Sequence, residues 1–343
     1  MANKDMPIPK DPSTQTEHPR IQHRYSLLLK LALAFFLLWA LYRLELLQLA
    51  PLVFLVQTPW LLVVIVFLLW LTFPLCALRW WQLLQIQGIK PPLSDVFKIV
   101  YSSAFWGLFL PGVVGGDIVR VAFGLTLSRR RMSVVTVSVV VDRLLGMLGL
   151  LTLGLLASLV YLDRFWVHPH MRSLILLLAG TFLTGLLAVT AAGIFARCLR
   201  AVYRRKEWPE KGFILRLAAK TIESVALYSD RPGQLALGWG LSIVVHGKDL
   251  AILAILARVM GIGGMDPWQY AIVGSITFLV NYLPLTPGGL GVGEAAFSQL
   301  ALWLEPASAP PAYATVLLAF RAVTALALLP ALILLPGRLR RSS

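Results

Sequence analysis

Residues Pro284 to Glu294 read Pro-Leu-Thr-Pro-Gly-Gly-Leu-Gly-Val-Gly-Glu, two prolines and four glycines among eleven positions. No helix continues through such a run, because proline removes a backbone donor and glycine resists helical order. Apolar arms nevertheless flank it on both sides. Each freed N–H and C=O then needs a partner, and unwound backbone survives at membrane depth only inside protein or beside a wet cavity. A related stretch, Pro111 to Arg120, reads Pro-Gly-Val-Val-Gly-Gly-Asp-Ile-Val-Arg between arms of its own. The break residues are Pro111, Gly112, Gly115 and Gly116 in the first stretch, and Pro287, Gly288, Gly289, Gly291 and Gly293 in the second.

The rest of the chain explains why these breaks matter. Of 343 residues, 58% are hydrophobic and only 14% charged, too apolar for a soluble globular protein and expected of an all-α integral membrane protein. Lys and Arg outnumber Asp and Glu by 31 to 16, and most of the excess falls between apolar segments, as on a face held against anionic lipid. Scattered over short loops without a binding module, these charges do not suit nucleic acid as a partner. Cys76 and Cys198 form no CxxC pair, and no structural disulfide is expected. Residues 1–24 are polar and proline-bearing, and are read as a disordered cytosolic tail rather than a signal peptide.

Six stretches meet the rough requirement of about 20 apolar residues for a crossing, at approximately 26–43, 60–84, 133–161, 173–196, 234–260 and 312–335. Lys4, Lys10, Arg20 and Arg24 place the N-terminus in the cytosol, and Arg79, Trp80, Trp81 and Lys90 mark the return of the second crossing. The same rule puts Arg129 to Arg131, Arg204 to Lys206 and a basic tail at 339–343 inside, so both termini of the 25–338 membrane domain face the cytosol of a cytoplasmic (inner) membrane. Around the breaks lie two re-entrant hairpins, about 96–127 from the cytosol and about 268–304 from outside. Two full crossings in place of either hairpin leave the charge parity unchanged. With Pro-Gly, paired glycines and a trailing acid in both, the hairpins look like an inverted repeat with a midplane site. From about 212 to 229 the apolar positions recur at helical spacing, predicting an amphipathic helix on the cytosolic surface.

Charges within apolar segments stand out, each costing about 2.5–3.5 kcal/mol at a helix centre unless paired or wet. Asp117, Arg120, Asp142, Arg143, Lys248, Asp249, Glu294 and Arg321 form this set. Adjacent Asp142 and Arg143 point about 100° apart on a helix, so at least one of them needs a partner elsewhere. Asp117 and Arg120, three apart, share a helical face and have the option of pairing locally. Two readings fit the set: buried pairs that only fix helix packing, or a hydrophilic path in which Arg120, Arg143, Lys248 and Arg321 attract phosphate, aided by helix starts after Gly116 and Gly293.

Enzymatic readings find little support. The run Gly288 to Gly293 is neither a dinucleotide nor a P-loop fingerprint. His168 and His170 supply too few ligands for a metal site, and no catalytic triad emerges from spacing. No cofactor is expected.

The Pro-Gly-x-x-Gly-Gly-Asp-x-x-Arg element at Pro111 to Arg120, the Asp142-Arg143 pair and the Pro-Gly-Gly-Leu-Gly-x-x-Glu element at Pro287 to Glu294, in this order, resemble the lysylphosphatidylglycerol synthase transmembrane-region family. In that family the membrane region is linked to moving lipids between leaflets, and members with an added soluble domain also aminoacylate phosphatidylglycerol. The resemblance implies the flippase-like part without the transferase, acting on an anionic or phosphate-bearing lipid: a phospholipid, an isoprenoid-linked lipid or a hopanoid. The competing expectation is a nontransporting membrane partner of a glycosyltransferase or other lipid-modifying enzyme. A homo-oligomer is compatible with either.

Overall fold

The computed structural model describes residues 31–48, 50–53, 57–110, 112–127, 132–164, 166, 168–203, 213–305 and 312–333. The N-terminal tail, Pro111, Arg129 to Arg131, Arg204 to Lys206 and the C-terminal basic tail lie outside these residues. Among the described residues the regular structure is helical throughout, without a β-strand. The helices are α1 (Leu31–Arg43), α2 (Pro59–Trp70), α3 (Thr72–Ile86), α4 (Leu93–Gly107), α5 (Gly112–Gly124), α6 (Met132–Ser158), α7 (Pro169–Tyr203), α8 (Phe213–Ser229), α9 (Pro232–Val259), α10 (Pro267–Val280), α11 (Val292–Leu304) and α12 (Tyr313–Leu328).

Five spans are long and apolar enough to cross a bilayer, starting at Pro59, Met132, Pro169, Pro232 and Tyr313. They match the second to sixth stretches read from sequence. The first stretch is described only from Leu31 to Arg43, a shorter helix. The second is interrupted at Leu71, dividing it into α2 and α3. Pro74 accounts for this, since it lacks the N–H that would reach the carbonyl of Trp70 and its ring crowds that carbonyl.

Burial is distributed as a bilayer solvent demands. Large apolar side chains such as Val63 and Phe67 on α2 and Leu176, Leu183 and Leu187 on α7 are exposed, while Arg79, Arg120, Asp142, Asp249 and Glu294 are buried. The charged groups are inside and the hydrocarbon is outside, so the chain is a multi-pass all-α membrane protein.

Helix α6 is the hub, packed against α3, α5, α7, α8, α9 and α10. Small residues permit this closeness: a Cβ on Gly149 would stand 2.5 Å from the Cβ of Ser242 on α9. Without a hydrophobic force between helices in lipid, such close backbone approach, together with interhelical polar contacts, drives association.

The arms around the two breaks are short, 15 and 13 residues in α4 and α5 and 14 and 13 in α10 and α11, against about 20 for a crossing. Helix α10 starts sharply: Asp266 accepts the N–H groups of Trp268 (2.8 Å) and Gln269 (3.1 Å), Gln269 returns the favour to the Asp266 N–H, and Pro267 fills the first position.

Candidate functional site

The two breaks meet. The N–H of Gly288, in the loop between α10 and α11, donates to the carbonyl of Leu110, just before α5, at 3.3 Å. Beside this junction lies a cavity of about 300 Å³ lined by residues of α3, α4, α5, α6 and α12, with Gly107, Leu108 and Gly116 contributed by the first hairpin and Gly288 by the second.

Its chemistry is set by three guanidinium groups and two carboxylates. Asp142 on α6 is fully buried and holds two cations at once: Arg79 on α3 donates from Nε at 2.6 Å and Nη2 at 3.1 Å, and Arg120 on α5 donates from Nη1 at 2.8 Å. Arg79 also reaches the Ser242 hydroxyl at 2.6 Å. The next residue, Arg143, turns to Asp117 on α5, Nη2 to Oδ1 at 2.6 Å. Adjacent residues of α6 thus engage two residues of α5 three positions apart, in crossed pairs. The local Asp117–Arg120 pair open to the sequence does not form, because each finds a closer counter-charge across the helix interface.

Arg120 has capacity to spare. Its guanidinium stacks on the Trp80 indole, 4.3 Å from the ring centroid. Stacking uses the face and leaves the edge available for donation. Nε and Nη2 are buried without a hydrogen-bond partner, although the side chain is only 4% exposed. Trp80 is itself fixed by donating to Ser138 at 3.0 Å. A buried cationic edge with two unmet donors beside a cavity has the chemistry that an oxyanion requires.

Other residues singled out from sequence sit further back. Arg321 on α12 donates to the carbonyls of Gly288 and Gly289 and to Asn281 Oδ1, and lies 2.7 Å from Glu294 Oε1. The Glu294 contact is out of hydrogen-bond alignment, so its attraction is coulombic. Through its other oxygen Glu294 accepts the Gly291 N–H at 2.7 Å. These two residues brace the second break from behind the cavity wall. Lys248 and Asp249 pair with each other at 2.6 Å and bind Thr72, whose side chain lines the cavity, but they do not line it themselves.

Three further expectations need correction. Gly115 and Gly116 lie within α5, which begins at Gly112, and not in unwound chain. Their smallness serves contact: a Cβ on Gly116 would come 3.1 Å from the Ser103 carbonyl and 3.4 Å from Gly107 of α4. Asp117 is consequently beyond the first turn and is no helix-start acid. Gly293 is likewise inside α11, where a Cβ would come 2.4 Å from Asn281 Oδ1. Only Gly288, Gly289 and Gly291, with φ of 56°, 74° and 78°, carry the second break as expected of glycine.

A family model described as the lysylphosphatidylglycerol synthase TM region matches residues 27–331. The chain belongs to this family. No curated protein and no solved structure matches the chain significantly. Membership in the lysylphosphatidylglycerol synthase transmembrane-region family makes it a membrane protein of lipid handling. In this family member the residues that sequence reasoning missed are Arg79 and Trp80, read as interfacial flanks of the second crossing. Both are buried, because α3 runs on to Ile86. The available signal was position: Arg79 falls inside the apolar stretch, where an unpaired cation is not tolerated.

Proposed function

We propose that this protein moves a phosphate-bearing lipid between the leaflets of the cytoplasmic membrane, the headgroup passing through the cavity where the two breaks meet. The observation that carries the reading is Arg120: buried, stacked on Trp80, with two donors unmet. Three guanidiniums against two carboxylates leave one positive charge for a phosphate to neutralise. Arg143 and Asp117, 31% and 18% exposed, stand at the more open part of the cluster and exchange partners more readily than the buried Asp142 group. The apolar exterior lets acyl chains remain in lipid while the headgroup travels inside.

Reconstitution into liposomes containing headgroup-labelled phosphatidylglycerol tests this. Labelled lipid should become accessible to an external quencher faster than in protein-free vesicles. No acceleration for any phosphate-bearing lipid, under any ion gradient, overturns the proposal.

A further inference from the structure

A second, larger cavity lies on the other side of α6 and contains none of the charged cluster. Its volume is about 1020 Å³, and it is walled by α6, α7, α8 and the start of α9. The polar cavity and this one are separated by α6 itself, whose Asp142 and Arg143 face the first while Val140, Val141 and Leu144 face the second.

The lining is mostly hydrocarbon and carries one cation. Val137, Val140, Leu144 and Leu148 of α6 and Val189 of α7 provide hydrocarbon, and the polar groups of the lining include Ser133 and Thr136 on the first turns of α6 and Lys220, Thr221 and Ser229 on α8. Lys220 is exposed. From Met132 to Leu148 the lining follows α6 for about 24 Å at 1.5 Å per residue. That is longer than the roughly 15 Å hydrocarbon depth of one leaflet. A slot of this length walled by hydrocarbon at membrane depth suits an extended acyl chain. Charge decides the headgroup: Lys220, the one cation of the lining, favours an anionic one.

We propose that the slot between α6, α7 and α8 is a binding site for an anionic phospholipid, separate from the headgroup cavity, with its acyl chain along α6 and its headgroup against Lys220. The site stands whether or not lipid moves through the Arg120 cavity.

Vesicles of phosphatidylcholine carrying a trace of phosphatidylglycerol or phosphatidylcholine with a diazirine on the acyl chain supply the test, with adducts on the full-length protein mapped by mass spectrometry. Phosphatidylglycerol should label Val140, Leu144 and Val189 about fivefold more than the choline lipid, the effect of one basic residue at an anionic surface. Lys220→Gln should equalise the two. Val140→Trp, or Ala192→Phe from the opposite wall if that variant does not fold, should abolish slot adducts and leave the background on Val63 and Phe67 of α2 unchanged. Arg120→Gln should keep full slot labelling, which separates this site from the transport reading. Labelling no denser in the slot than on α2, or independent of headgroup, overturns the proposal, as does a slot closed to label by another segment or a second copy.

Discussion

Asp142 is held on both carboxylate oxygens by Arg79, Nε at 2.6 Å and Nη2 at 3.1 Å, in a pair that links α6 to α3 at full burial. The same carboxylate also carries Arg120. Asp142→Asn would therefore strand two buried cations, and breaking a buried pair from one side costs about 3–5 kcal/mol. The variant should lose folded protein after detergent extraction and unfold at lower temperature. An Asp142→Asn protein as stable as the parent would show that the cluster does not hold the helices together.

Arg120→Gln should behave differently. Arg79 and Asp142 remain a matched pair, so the fold should persist, while the free cationic edge is gone. A hydrogen bond to a charged group is worth about 1.5–3 kcal/mol, so lipid movement should fall roughly ten- to hundredfold. Arg120→Lys should recover only part of the rate, because an ammonium neither stacks flat on Trp80 nor offers a planar edge. Quencher-accessible label in liposomes measures both, and wild-type rates in Arg120→Gln would remove Arg120 from the path.

The Arg143–Asp117 pair is more open than the Asp142 cluster and should couple more weakly. A double-mutant cycle on Arg143→Met and Asp117→Leu, read by thermal unfolding, should give an interaction energy of about 1 kcal/mol, as for partly exposed pairs. Because Arg143 lines the cavity and Asp117 holds it, both single variants should slow lipid movement while retaining folded protein. Slowing without any coupling would mean that the two residues act separately.

Much of this arrangement was legible in the sequence, for physical reasons. Charges at Asp117, Arg120, Asp142 and Arg143 stand out against hydrocarbon because lipid penalises them, and two Pro-Gly runs between apolar arms stand out because unwound backbone needs partners. Partner choice was not legible. Asp117 and Arg120 lie one turn apart, and only the crossing of α5 over α6 shows that they bond outward instead of to each other. Arg79 was hidden by its neighbours Trp80, Trp81 and Lys90, which together imitate an interfacial belt. Gly115 and Gly116 were misread because a glycine that breaks a helix and one that admits a neighbouring helix have the same letter. Lys248 and Asp249 are adjacent, and nothing in the sequence reveals that their attachment to the cavity runs through Thr72.

Gly291 offers a test of how tightly the second break is seated. Its φ of 78° is strained for other residues by about 1–2 kcal/mol, and a Cβ would also come 2.8 Å from Leu37 Cβ and 3.0 Å from the Ala34 carbonyl on α1. Gly261 has a similar φ of 67° with nothing near its missing Cβ. Gly291→Ala should therefore lower the unfolding temperature more than Gly261→Ala, the difference reporting the contact with α1. Equal losses would show that α1 yields freely.

Arg321 is the brace of that break, and its geometry makes lysine a poor replacement. One guanidinium serves the Gly288 and Gly289 carbonyls, Asn281 and Glu294 together. Lysine preserves the charge opposite Glu294 but cannot span the other acceptors, and each buried group left unmet costs about 1–3 kcal/mol. Since Gly288 forms part of the cavity wall and donates to Leu110, loosening the loop should be felt at the junction of the two breaks. Arg321→Lys should speed amide exchange at Gly288 to Leu290 while leaving α2 and α3 protected, and should slow lipid movement in parallel. Unchanged exchange at Gly288 would mean that the loop is held by the Leu110 contact and its own turns, with Arg321 contributing only its charge.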